Sequence, residues 1–114
     1  MPYIKLTTTA KVDAAKAQAL KAGFGKAIEC FPGKTEQWLM VAVEDDNRMW
    51  FRGDDSAATA MVDVDLLGSI SKPASEKMTA ALCGLLQKEL GISPDRIYVK
   101  YTGYADWGWN GANF

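Results

Sequence analysis

The sequence predicts an α+β fold in which two βαβ pseudo-repeats build one four-stranded sheet with two helices on one face. Three observations carry that prediction. The order strand, helix, strand occurs twice along 114 residues, each helical segment has one apolar stripe, and each helix runs into a proline or glycine stop. Parallel strands joined by a helix need a right-handed crossover, so two such units can share a sheet with both helices on the same side. The length fits a single domain, residues 1–114.

Tyr3 to Thr8 alternates polar and apolar side chains and reads as the first strand. Asp13 is the expected N-cap of a helix over Ala15 to Phe31, where Leu20, Phe24, Ile28 and Phe31 recur at helical spacing. Gly23 and Gly25 weaken it, and Pro32-Gly33 ends it. Gln37 to Glu44 contains the run Trp38-Leu39-Met40-Val41-Ala42-Val43, which reads as a strand covered on both faces. After the turn Asp45-Asp46-Asn47, Arg48 to Phe51 is expected to pair back as a hairpin.

The second half repeats the scheme. Ala58 to Leu67 is a strand, and Lys72-Pro73 opens a helix with the stripe Met78, Leu82, Leu85, Leu86 and Leu90. Gly91 caps it, Ser93-Pro94-Asp95 turns the chain, and Arg96 to Tyr101 is the fourth strand. The tail, Thr102 to Phe114, is expected to add a small strand or clasp, and Gly68 and Gly103 read as turn or bulge positions. With both helices on one face, the opposite face of an apolar sheet would be bare. This predicts an oligomer.

Composition narrows the chemistry. Hydrophobic residues make up 48% and charged residues 24%, and the formal net charge is −1, which gives no basic footprint for nucleic acid or an anionic membrane. No signal-peptide pattern or membrane-length apolar run is present, so the expectation is a cytoplasmic protein, or one secreted without a signal peptide. Cys30 and Cys83 lie far apart in helical patterns and read as small buried apolar residues. There is no histidine, which removes the commonest general base and metal ligand. No metal and no organic cofactor is expected.

Pro2 is the sharpest candidate for proton chemistry. A small residue after the initiator allows removal of Met1, which leaves a free secondary amine. An ordinary α-amino group titrates near about 7.7 to 8.0, and an apolar pocket lowers that value. The neutral amine is then a general base. Lys34 stands at the entrance to the second strand, where it is either an exposed loop lysine or a point charge for a substrate carboxylate. Trp38, Tyr98, Trp107, Trp109 and Phe114 form an aromatic set that serves packing, a pocket, or both. Asp63 and Asp65 share one strand face and read as solvated.

With those residues in view, the chain resembles the macrophage migration inhibitory factor family of the tautomerase superfamily. The likeness rests on Met1-Pro2, Gly33-Lys34 before an apolar strand, Leu67-Gly68 after another, and Leu82-Cys83-Gly84-Leu85-Leu86. Ile92-Ser93-Pro94-Asp95-Arg96-Ile97-Tyr98 and the ending Gly108-Trp109-Asn110-Gly111-Ala112-Asn113-Phe114 extend it to the whole chain. The resemblance implies a homotrimer of ferredoxin-like repeats with active sites at subunit boundaries. It implies that Pro2 moves a proton between carbon and oxygen of a phenylpyruvate-like α-keto acid. Lys34 and the backbone at Leu67 would hold the substrate; Tyr98 of a neighbouring subunit would line the pocket with Trp107, Trp109 and Phe114.

Two positions depart from the family pattern. Lys100 replaces a pocket asparagine and would add a second cation, and Trp107 replaces a smaller aliphatic residue at the pocket mouth. The Cys-x-x-Cys of some relatives is missing from Ala60 to Asp63, so reduction of insulin disulfides by the protein is not expected. Two alternatives remain open at this level. One is a cytokine-like protein that binds a receptor and keeps a vestigial pocket; the other is a superfamily enzyme with a different substrate.

Overall fold

A computed structural model describes all of residues 1–114. The chain runs β1 (Pro2–Thr8), α1 (Ala14–Ala27), β2 (Met40–Glu44), β3 (Ala60–Leu67), α2 (Lys72–Leu90) and β4 (Ile97–Tyr104). A small hairpin of β5 (Gly108–Trp109) and β6 (Ala112–Asn113) closes it. The main sheet has the order β2-β1-β3-β4. β1 and β2 are parallel, as are β3 and β4, and the two βαβ units meet where β1 and β3 pair antiparallel. This is the α+β arrangement that the sequence predicts.

Each element has a local cause. Asp13 accepts the Lys16 amide at 2.8 Å and starts α1; Ser71 does the same for α2 through Ala74. Gly91 ends α2 at φ 66, a left-handed cap that glycine adopts without strain. α1 stops at Ala27, earlier than its periodicity implies, and the chain tightens into a 3-10 turn over Ile28–Cys30. The core lies between the helices and one sheet face. Ile4, Leu6, Val62 and Val64 meet Leu20, Phe24, Met78 and Leu82 there, all fully buried.

Three expectations fail. Gln37 enters a 3-10 turn, Glu36–Trp38, so the strand begins only at Met40. That strand is an edge strand and is half exposed; the apolar run also feeds a pocket, described below. Arg48 to Phe51 forms no hairpin and contributes one isolated bridge, Phe51 to Asp54. Arg96 explains this: its guanidinium donates to the carbonyls of Asp54, Ala57 and Ala58, which folds the segment onto the start of β4 instead of along β2.

Third, the sheet face away from the helices is not apolar. Lys5, Thr7, Asp63, Asp65 and Lys100 occupy it in alternation with the buried residues. Two ion pairs cross it, Lys5–Glu44 at 3.3 Å and Lys100–Asp63 at 3.0 Å. A bare apolar face therefore supplies no reason for assembly. No helix is long and apolar enough to cross a membrane.

Candidate active site

The strand directions bring separate parts of the chain to one end of the sheet. Because β1 and β2 are parallel, the start of β1 lies beside the start of β2, with Tyr3 opposite Met40. Because β1 and β3 are antiparallel, the same end receives the end of β3, with Pro2 opposite Leu66. β4 runs parallel to β3 and ends there too, with Tyr104 opposite Leu67. The terminal hairpin is thus delivered to the amino end of β1.

A cavity of about 720 Å³ opens at this end, lined by Met1, Pro2, Tyr3, residues 37–40 and residues 107–109. Its aromatic walls brace one another. Trp38 meets Trp109 edge-on at 5.1 Å between ring centroids, Phe114 stacks on Trp109 at 5.9 Å, and Tyr104 supports Trp107 at 5.8 Å. Such edge-to-face and stacked pairs fix ring orientation as well as burying apolar area.

Lys34 stands beside the amino terminus. Its ammonium donates to the Leu67 carbonyl at 3.1 Å, and the Leu67 amide donates to the Met1 carbonyl at 3.0 Å. Leu67 therefore joins the lysine to the start of β1. Burial lowers the Met1 amine from its ordinary 8.0 to about 6, helped by the charge of Lys34 and its hydrogen bond. With Met1 in place Pro2 contributes an amide nitrogen, and the free amine sits one residue ahead of it.

The structure gathers Pro2, Trp107 and Trp109 around the cavity, with Phe114 packed on its Trp109 wall; Lys34 and Leu67 are not in the lining and adjoin it through Met1. Two expected residues lie elsewhere in this chain. Tyr98 is the second residue of β4, at the far end of the sheet, roughly 20 Å of strand from Tyr104, exposed and edge-on to Phe51 at 5.1 Å. Lys100 faces away from the helices against Asp63, whose hydrogen bond and charge raise its pKa. Neither lines the cavity of this chain.

Sequence reasoning did not single out Tyr3, Gln37, Leu39 and Met40, which also line the cavity. The signal lay in the parallel pairing of β1 with β2, since whatever enters β2 must lie beside the start of β1.

The fold and the sequence together decide the kinship. The family profile described as Macrophage migration inhibitory factor (MIF) matches residues 1–114. The chain belongs to the macrophage migration inhibitory factor family. The factor of Meriones unguiculatus is 39% identical over 84 residues, 72% of each chain. The crystal structure of Leishmania major MIF2 is 32% identical, covers 100% of this chain and 97% of its own, and has a TM-score of 0.91. A homologue of the factor from Prochlorococcus marinus is 26% identical with a TM-score of 0.80 and covers 98% of both chains. In this member of the macrophage migration inhibitory factor family, three tryptophans (Trp38, Trp107 and Trp109) line the cavity at the amino terminus.

Proposed function

We propose that the protein is a keto–enol tautomerase of phenylpyruvate-like α-keto acids, with the Pro2 amine as base after Met1 is removed. One observation carries the reading: the amino end of β1 opens into an apolar cavity beside Lys34. Burial and the neighbouring Lys34 both disfavour a protonated Met1 amine, and the same two causes would act on the Pro2 amine once Met1 is removed.

The reaction needs little more. Lys34 pairs with the substrate carboxylate, and the aryl group rests among Trp38, Trp107 and Trp109. The neutral amine takes a proton from the carbon next to the ketone. The C–H electron pair becomes the C=C bond and the carbonyl π electrons move to oxygen. The Pro2 ammonium returns its proton to that oxygen, directly or through water, which gives the enol and restores the neutral amine. Ketonisation is the same path reversed. Proton balance is complete without a metal or an organic cofactor.

The active unit in this reading is a homotrimer, in which a neighbour's Tyr98 and Lys100 reach the pocket. Support comes from β2 and β4, whose outer edges carry unpaired backbone groups, and from the exposure of Tyr98 and Met40. The test is enol formation from phenylpyruvate, followed by absorbance, with Met1-free protein and a Pro2→Gly variant. Turnover that disappears in a folded variant supports the reading. Silence in both, with Met1 absent by mass, sinks it and leaves a receptor-binding role or another substrate.

A further inference from the structure

We infer that Gly103 is a positioning residue: its backbone contact with Gly68 holds the Leu67 carbonyl at Lys34 and seats the Trp107 wall. This rests on the proposed site but concerns residues outside it. Gly103 lies inside β4, where strands disfavour glycine, and Leu66 is its register partner. Its environment accounts for the choice. A β-carbon there would overlap the Gly68 carbonyl oxygen and stand 3.3 Å from the Gly68 carbonyl carbon and 3.4 Å from the Ser69 Cα. All three are backbone atoms, so no side chain can rotate away.

The contact is closed on both sides. The Gly68 amide donates to the Tyr104 carbonyl at 2.8 Å, and Gly68 itself sits at φ +103, where other residues are strained. One peptide back is Leu67, which takes the Lys34 ammonium on its carbonyl and gives its amide to Met1. One residue on from Gly103 is Tyr104, whose ring backs Trp107 and whose hydroxyl donates to Asp65 at 3.3 Å. The two glycines are the point where the lysine corner and the tryptophan wall are fixed to each other. A side chain at 103 separates them.

The test compares Met1-free native protein, Gly103→Ala, and Gly91→Ala as a control that strains a left-handed cap away from the site. Gly103→Ala is expected to lower kcat/KM by about tenfold or more, mostly through KM, as a misplaced carboxylate partner does. It also moves the titration of the terminal amine, followed by NMR, to higher pH as Lys34 withdraws. Gly91→Ala loses melting temperature yet keeps both native values. An unchanged KM and amine titration in Gly103→Ala would overturn the inference, as would equal changes in Gly91→Ala. The amine titration needs no turnover, so it judges the inference even where the tautomerase reading fails. Should Gly103→Ala not fold, hydrogen exchange of native protein decides. The Gly68 amide must be as protected as those inside β3, and exchange at loop rates would contradict the contact.

Discussion

Replacing Lys34 with methionine keeps the length of the side chain and removes its charge, so it isolates what the cation does at the amino terminus. The ammonium donates to the Leu67 carbonyl at 3.1 Å, stands close enough to the Met1 amine to lower its pKa, and is only partly exposed. Two effects follow. Loss of a charge-assisted contact to a substrate carboxylate costs about 1.5–3 kcal/mol, or roughly 10- to 150-fold in kcat/KM. The terminal amine also changes. Burial is the largest cause of its fall from 8.0 to about 6, and the two smaller causes both come from Lys34. Without the lysine the Met1 amine loses both smaller causes and its pKa moves back towards 8.0; the Pro2 amine freed by loss of Met1 is expected to move in the same direction.

The sign follows from the amine itself. Its neutral form is the base, so activity is lost as pH falls through its pKa, and the acid limb of the variant's profile must shift to higher pH. Stability obeys the same asymmetry. The folded chain binds this proton less tightly than the unfolded chain, so stability grows as pH rises from about 6 to 8.0, less steeply in the variant. The assay is kcat/KM for phenylpyruvate against pH with Met1-free protein. An unmoved acid limb, or a loss smaller than about threefold, would refute the role given to Lys34.

Two further predictions concern the scaffold. Phe24 is fully buried between α1 and the sheet, so Phe24→Ala should destabilise the fold by about 3–5 kcal/mol in denaturant titration; a loss under about 1 kcal/mol would show that the core repacks. Arg96→Met removes the donors that hold the carbonyls of Asp54, Ala57 and Ala58, at an expected cost of about 2–3 kcal/mol. Hydrogen exchange at the Phe51 and Asp54 amides, which bond each other's carbonyls, should speed up in that variant; unchanged protection would remove Arg96 as the anchor.

Much of this architecture is written in local pattern. The alternation of β1, the stripe of α2 and the left-handed stop at Gly91 are each set by neighbours in sequence, and the structure keeps them. What fails depends on distant partners. Arg48 to Phe51 has strand-like composition, but its fate is decided by Arg96, more than forty positions away from Asp54's side of the loop. The polarity of the outer sheet face was legible in Lys5, Asp63 and Asp65, the two aspartates reading as solvated, but the apolar run Trp38 to Val43 argued for a bare apolar face.

The candidate site divides the same way. Pro2, Trp107 and Trp109 stand out by residue type, and the cavity gathers them. Gln37, Leu39 and Met40 carry no chemical signal and enter the lining only because β2 starts beside β1. Gly103 is the extreme case. Nothing in the sequence distinguishes it from a turn glycine until the Gly68 backbone is seen against it.

The central claim is that the base is the nitrogen of Pro2 and not merely any amine at this corner. The Met1 amine also faces the cavity and is itself depressed to about 6, so the two can be told apart only by moving the terminus. The decisive measurement compares phenylpyruvate turnover by protein that retains Met1, made with methionine aminopeptidase inhibited, with the same sample after enzymatic removal of Met1. Activity that appears in proportion to Met1 loss by mass is the predicted result. Equal activity before and after removal would contradict the assignment of Pro2.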